Sequence, residues 1–147
     1  MAVNTVHDVE FGEELPTFTP DTSITRTSEF ARAVGWGTGR GRFSDHELAR
    51  KQGLPGALVP GIMGMGFLTT VVHRWSDAAE VESIDTVFRA PMLADQPLIL
   101  GAVVTDIDTD DGVVELDMTL KNEAGETRVF GTAKVRLPVT SSETSDQ

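Results

Sequence analysis

The sequence predicts an α+β protein in which one long apolar helix is followed by an antiparallel sheet. The segment 58–75 carries apolar residues at helical spacing, and four later segments have the apolar patterning of strands. Tight turns separate these strands, and consecutive strands joined by tight turns must be antiparallel. A helical first half and a stranded second half therefore predict a sheet that curves around the long helix.

Two short helices are predicted before the long one. The first has Thr27 as its N-cap and Gly35 as its C-terminal stop. The second follows Ser44, whose spacing to Glu47 is that of a capping box, and it ends at Gly53. Each of these helices is thus bounded by residues that favour a helix start and a helix end.

The long helix has Pro60 as its predicted first residue and two basic side chains in its last turn. Gly64 and Gly66 lower its helix propensity, and we expect them to allow the close approach of another backbone. One stripe at spacings of three and four residues is expected to face the core: Ile62, Met65, Leu68, Val72 and Trp75.

The four strands are predicted at 80–91, 97–107, 113–120 and 128–137. The last two form a hairpin across residues 122–126, where Gly125 can adopt a positive φ. Their apolar residues are expected to share the inner face of the sheet: Val114, Leu116, Met118, Leu120, Val129, Ala133, Val135 and Leu137.

Length and composition restrict the class of protein. The 147 residues predict a single domain over 1–139 and a disordered acidic tail over 140–147. There is no cysteine and the three histidines are far apart, so no metal site is expected. The net charge of −11 argues against nucleic acid or an anionic membrane as a partner.

The longest apolar segment, 58–72, is interrupted by glycine and is too short to span a bilayer. Acidic residues near the start argue against a signal or transit peptide, and we expect a cytoplasmic protein.

Five segments, taken in order, resemble the MaoC-like family of (R)-specific enoyl-CoA hydratases and dehydratases. The fourth is similar to the family's P-x-x-x-G-D turn, with Ala94 where glycine is usual. This resemblance implies the hotdog fold, paired with a second copy or a related chain as a double hotdog. The segments are ITRTSEFARAVG, DHELARKQGLPG, LVPGIMGMGFL, FRAPMLADQPL and KNEAGETRVFGTAKVRLP.

The segment GTGRGRFSD, residues 37–45, aligns without gaps with the family's catalytic loop G-D-x-N-P-x-H-x-D. Thr38 then stands where the family has its aspartate, and Phe43 where it has its histidine. In the family these two groups are thought to deliver water across the enoyl double bond, which requires side chains that titrate. Phenylalanine does not titrate, and a threonine hydroxyl needs another group to activate it. The resemblance therefore implies that the catalytic pair has been replaced.

The start of the long helix retains one family feature. It has no side chain suited to capping, so the amides at Gly61 and Ile62 are free to polarise a thioester carbonyl, as the resemblance implies. Pro60 replaces the histidine that precedes this glycine in the family. Three loop residues, Arg40, Arg42 and Phe43, complete the predicted substrate-binding set. The whole set is Gly61, Ile62, Arg40, Arg42, Phe43 and Pro60.

The two arginines would bind a CoA phosphate or a substrate carboxylate. The alternative is that Arg40 and Arg42 are solvent-exposed loop residues.

His46 and Asp45 are alternative catalytic candidates if the loop has a shifted register. The competing interpretation is that His46 is a solvated residue of the first helical turn and that Asp45 stabilises the helix start. A thioesterase would need Glu47 or Asp45 to face the acyl tunnel.

The resemblance implies a protein of acyl-CoA metabolism that acts on enoyl- or 3-hydroxyacyl-CoA thioesters. With the pair replaced, we expect a non-catalytic or divergent subunit of a double hotdog. The alternatives are an active homodimer that uses His46 and Asp45, or a thioesterase. No cofactor is expected, because CoA arrives as part of the substrate. The expected partner is a second hotdog chain, either the same chain or a catalytic MaoC-like subunit.

Overall fold

A computed structural model describes residues 2–36 and 41–140, and the structural statements below refer to those residues. The predicted acidic tail therefore lies outside them, except for Thr140. The elements are a 3-10 turn at Val6–Asp8, helices α1 (Ile24–Ala33), α2 (His46–Lys51) and α3 (Gly61–Trp75), and strands β1 (Glu80–Phe88), β2 (Leu98–Asp108), β3 (Val113–Asn122) and β4 (Thr127–Arg136).

The four strands form one antiparallel sheet in the order β1-β4-β3-β2, which confirms the predicted α+β class. Each strand pairing contains one register shift, and such bulges bend and twist a sheet. Residues 12–18 run along the outer edge of β2, with bridges from Glu14 to Val103 and from Phe18 to Leu100. Within the described residues, β1 has a strand neighbour on one side only.

The core lies between α3 and the inner face of the sheet. The predicted inward residues of β3 and β4 are all buried, and Leu137 just beyond β4 is buried with them. The helix packs against β1, β2 and β3, where Leu68, Val71 and Val72 are completely buried. The two-residue alternation in the last two strands therefore predicted the inner face correctly.

The predicted stripe of α3 is wrong at its N-terminal end. Ile62 is 57% exposed and Met65 is only half-buried, whereas Met63 is buried. Leu68 and Val72 are buried as predicted. The first turns of α3 are apolar on more than one side, so spacing alone did not identify the side that the sheet covers.

The starts of the two short helices also differ from the prediction. Ser23, not Thr27, caps α1, because its hydroxyl accepts a hydrogen bond from the Arg26 amide at 3.3 Å. Asp45, not Ser44, caps α2, with its carboxylate 3.0 Å from the Leu48 amide. The Thr27 hydroxyl lies inside the helix, where it donates to a carbonyl oxygen of the preceding turn. Short polar side chains adjacent in sequence compete for this role, and the backbone path decides between them.

Glycines end both short helices as predicted, with φ of +81° at Gly35 and +88° at Gly53. The expected close backbone approach at α3 is not found. A Cβ on Gly64 would lie 2.9 Å from Cε of the Met92 side chain, and one on Gly66 would have nothing within 4 Å. Gly64 therefore makes room for a core side chain, while Gly66 faces open space.

Candidate functional site

Three segments that are distant in sequence converge at the N-terminus of α3. The Leu58 amide donates to the Arg42 carbonyl at 2.7 Å, and the Val59 amide donates to the Met92 carbonyl at 2.7 Å. The Ala94 amide in turn donates to the Ala57 carbonyl at 2.9 Å. These backbone bonds hold the segment that leads into α3 between the loop before α2 and the segment after β1.

A groove of about 300 Å³ opens where these segments meet. In this groove, the Phe88 ring lies against the start of α3, since a Cβ on Gly61 would be 3.1 Å from Cε1 of that ring. Glycine at the first position of the helix therefore allows the ring to cover it. The lining is mostly apolar and consists of Phe43, Leu58, Val59, Gly61, Phe88, Arg89, Ala90, Pro91 and Met92.

The positive end of α3 faces this groove. Pro60 is the N-cap and makes no side-chain capping hydrogen bond, so the first-turn amides are free of a side-chain partner. The helix dipole adds partial positive charge at the same end. The sequence placed Pro60 one position inside the helix, but its prediction of an uncapped start is confirmed.

Arg89 is the one charged side chain among the described residues that line the groove. Its guanidinium carbon lies 5.9 Å from the centre of the Phe130 ring on the outer face of the sheet. The lining contains neither a carboxylate nor an imidazole. The groove can therefore hold an apolar group, polarise a carbonyl with backbone amides and attract an anion, but its described lining offers no general acid or base.

Phe43 lines the groove, at the position that the family resemblance assigns to the catalytic histidine. Its ring centre is 5.2 Å from that of Trp36, which is in turn 6.1 Å from that of Phe30. The three rings connect the end of α1 with the loop before α2. The groove is therefore lined next to α2 by the Phe43 ring, which Trp36 contacts from behind.

His46 and Asp45 do not line the groove, and both side chains have other partners. The His46 Nδ1 accepts a hydrogen bond from the Ala57 amide at 2.9 Å, and its Nε2 lies 2.7 Å from Asp95 Oδ2. Asp45 caps α2. Their proposed catalytic role stays a prediction, and each has a structural task in this chain.

The other predicted binding residues are dispersed. The Arg42 side chain is exposed, although its carbonyl holds the wall of the groove. Pro60 is buried and Ile62 is exposed, and neither side chain lines the groove. Arg40 and Thr38 lie outside the described residues.

The groove wall at the end of β1 was not predicted from the sequence. Phe88, Arg89, Pro91 and Met92 line the groove, yet they were identified only as part of a strand and a turn. An aromatic residue at the end of a strand, followed by a basic residue and, two positions later, a proline, was the available signal. Their importance depends on the start of α3 lying opposite, which no local pattern indicates.

The turn after this wall requires a correction. Asp95 has a φ of 62° and is the one non-glycine residue of the described chain with a positive φ. Counted from Pro91, it occupies the glycine of P-x-x-x-G-D, so the glycine position is Asp95 and not Ala94. Hydrogen bonds from His46 and from the Ile24 amide hold the pKa of the Asp95 carboxyl below its ordinary value of 3.8.

Residues 2–36 and 41–140 contain neither a metal-ligand cluster nor a membrane-spanning helix. No group of three or more His, Cys, Asp or Glu side chains there could hold a metal ion. In the same residues, no helix has both the length and the apolar character needed to cross a membrane.

No protein-family model matches the sequence, and no curated protein is significantly similar to it. Solved structures do match. The chain is similar to the ChsH1-ChsH2 complex from Mycobacterium tuberculosis, with a TM-score of 0.77 and 21% identity over 88% of this chain and 98% of that one.

Two further structures have the same fold. An (R)-hydratase from A. caviae involved in PHA biosynthesis matches with a TM-score of 0.80 and 16% identity, over 88% of this chain and 98% of that one. A MaoC-like dehydratase from Rhodospirillum rubrum matches with a TM-score of 0.75 and 15% identity, over 91% of this chain and 97% of that one. The fold implied by the sequence motifs is therefore confirmed, and this chain has the hotdog fold of MaoC-like dehydratases and (R)-hydratases.

Proposed function

We propose that this chain binds the thioester end of an acyl-CoA in the groove at the start of α3, as a non-catalytic or divergent subunit of a double hotdog. The observation that carries the proposal is the composition of the groove. It joins uncapped helix amides to an apolar lining and to the Phe43 ring, with no carboxylate or imidazole among the described residues that line it. Such a site favours binding and polarisation of a carbonyl over proton transfer.

The cations near the groove fit the charge of CoA. Arg89 lines the groove, and the exposed Arg42 side chain belongs to the loop whose carbonyl holds its wall. A guanidinium binds phosphate oxygens in a bidentate manner. In a chain of net charge −11, these local cations offer an anionic ligand a place to bind.

The alternatives are less well supported. A hydratase based on His46 would need to free a ring nitrogen that now bonds Ala57 or Asp95. A thioesterase would need a carboxylate in the groove, whereas Asp45 caps α2 and Glu47 is exposed in its first turn.

The catalytic pair would come from a second hotdog chain. The side of α3 that carries Ile62 and Gly66 is exposed, and β1 has a free edge within the described residues. The free edge suits continuation of the sheet by another chain, since an edge strand is a template for pairing, and the exposed side of α3 offers apolar surface that such a chain could cover. ChsH1-ChsH2, one of the similar structures, is itself a complex of two different chains.

The first experiment is native purification followed by mass spectrometry of the proteins that co-elute. We expect a second hotdog chain in equal amount, carrying an intact Asp/His loop. Elution as a homodimer alone would overturn the subunit assignment and would direct mutagenesis to His46, Asp45 and Arg40.

The binding step is tested on the purified protein with saturated acyl-CoA thioesters of short, medium and long chain, and with CoA alone. Replacing Phe88 with alanine should weaken binding of the preferred thioester by about tenfold or more, because the ligand would cover this half-exposed ring and burying a Phe side chain is worth roughly 1.5–3 kcal/mol. Ile99→Ala, on the exposed outer face of the sheet, is the control and should leave affinity unchanged. Equal affinities for wild type and Phe88→Ala would rule out this groove as the binding site.

A further inference from the structure

His46 connects two segments of the groove wall that are far apart in sequence. One is the segment 57–59, which leads into α3 and whose buried Ala57 donates its amide to the His46 ring. The other is the turn that contains Asp95 and follows Met92. A Cβ on Gly56 would lie 3.1 Å from His46 Nδ1, so glycine lets the ring approach the backbone at this point. A single imidazole therefore ties α2 to both segments.

The Asp95 carboxylate makes contacts that are impossible in a P-x-x-x-G-D turn, where the same position is a glycine without a side chain. Its φ of 62° is in the region that favours glycine, and aspartate tolerates it better than most residues. One carboxylate oxygen accepts the Ile24 amide at 2.9 Å, and the other accepts His46 Nε2–H. An aspartate at this position thus gains two hydrogen bonds that glycine would not form.

The two hydrogen-bond partners of the ring match its neutral form. A backbone N–H only donates, so Nδ1 must carry its lone pair toward Ala57, and Nε2 carries the proton that Asp95 accepts. This is the neutral imidazole. A charged imidazolium has N–H groups on both nitrogens, and its Nδ1–H would face the N–H of Ala57. Protonation therefore opposes one of the two contacts and adds charge to the other.

The charged groups around the ring favour the contact with Asp95 once the ring is protonated. From the turn after β1, Asp95 itself faces Nε2, and Asp21, before α1, acts on Asp95 by repulsion. On α2 the nearest cation in sequence is Arg50, whose Nε donates to the Pro55 carbonyl at 3.3 Å. Asp45, the N-cap, and Glu47, in the first turn, flank the histidine at the start of α2.

We propose that His46 is a positioning residue. Its neutral ring holds residues 57–59 of the groove wall by accepting a hydrogen bond from the Ala57 amide. Protonation of the ring breaks this hydrogen bond, while the contact with Asp95 remains. The importance of this wall rests on the proposed function, because the groove is the proposed thioester site. The positioning itself needs no ligand to be observed, so the two proposals can fail separately.

The test is a titration of the isotope-labelled protein by NMR between about pH 8 and pH 5, the range in which histidine ordinarily changes charge. The His46 ring nitrogens and the amides of Ala57, Leu58, Val59 and Gly61 are followed together. We expect these amides to shift with the midpoint of the His46 ring. We also expect the exchange protection of the Ala57 amide to fall by about tenfold, the factor expected for the loss of one hydrogen bond.

Two variants separate titration from a merely structural role. In His46→Asn, the side-chain oxygen can accept the Ala57 amide in place of Nδ1, so the amide should stay protected and its pH response should vanish. In His46→Ala, the protection should be lost at every pH. His73→Asn, in the exposed last turn of α3, is the matched control and should keep the wild-type response.

The proposal is overturned if the ring does not titrate in this range, or if the ring titrates while the four amides do not respond. It is also overturned if His46→Asn shows the wild-type response, since another group would then cause it. Acyl-CoA binding at the two ends of the pH range is measured afterwards, and its absence would count against the proposed function but not against the positioning role.

Discussion

At the scale of single residues, the Asp95 carboxyl has a consequence for stability in acid. Its folded pKa is lowered, first by the hydrogen bond from His46 and then by the Ile24 amide. A group with a lowered folded pKa contributes stability above its unfolded pKa and loses that contribution as the pH falls through the folded value. The contribution of Asp95 should therefore be present at neutral pH and disappear below about pH 4.

We predict that Asp95→Asn lowers the free energy of unfolding at neutral pH and removes part of the loss below about pH 4. Urea unfolding at a series of pH values measures both effects. Asp117→Asn, exposed on the outer face of the sheet, serves as the control. If the wild type and Asp95→Asn lose stability in parallel down to the acid range, the hydrogen bonds to this carboxylate do not stabilise the fold.

Two glycines of α3 make a second comparison at this scale. Gly66→Ala should raise the free energy of unfolding of the isolated chain by about 0.5–1 kcal/mol, because alanine favours the helix and nothing lies within 4 Å of the new Cβ. Gly64→Ala places the same group 2.9 Å from Met92 Cε, the end of a flexible but buried side chain that must shift, so the gain should be smaller than at Gly66. Urea unfolding of both variants checks the difference, and equal effects would contradict the packing at Gly64.

At the scale of elements, the start of α2 distinguishes two neighbouring polar residues. Asp45→Ala should destabilise the protein by about 1 kcal/mol, because it removes the acceptor of the Leu48 amide. Ser44→Ala should change stability by less than about 0.5 kcal/mol, since Ser44 is not the cap. Thermal or urea unfolding measures the stability of both variants. A larger loss of stability for Ser44→Ala than for Asp45→Ala would instead support the capping box predicted at Ser44.

At the scale of the whole molecule, the uncovered side of α3 predicts association with another chain. Ile62→Asp should prevent assembly with a second hotdog chain, because it places a charge on an apolar surface that the partner would bury. The isolated chain should stay stable, since an acidic residue suits the first turn of a helix. The mass of the assembly in solution is the measurement. Phe11→Asp, at a residue 76% exposed near the other edge of the sheet, is the control and should leave assembly intact.

The sequence by itself determined the elements of this protein. Alternating apolar residues predicted the inner faces of β3 and β4, and glycines predicted where α1 and α2 end. These features depend on local conformation and on the period of the chain, which neighbouring residues fix. The fold class and the uncapped start of α3 followed from the same kind of local information.

Only the tertiary structure decided which side of α3 is covered, which edge strand is free and which segments form the groove. Ile62 and Met63 are both apolar, and the sheet covers only one of them. The wall after β1 meets the segment before α3 through Val59 and Met92, which are 33 positions apart, and His46 and Asp95 are 49 positions apart. Sequence periodicity carries no information about such long-range contacts, because they depend on the path by which the chain returns to the start of α3.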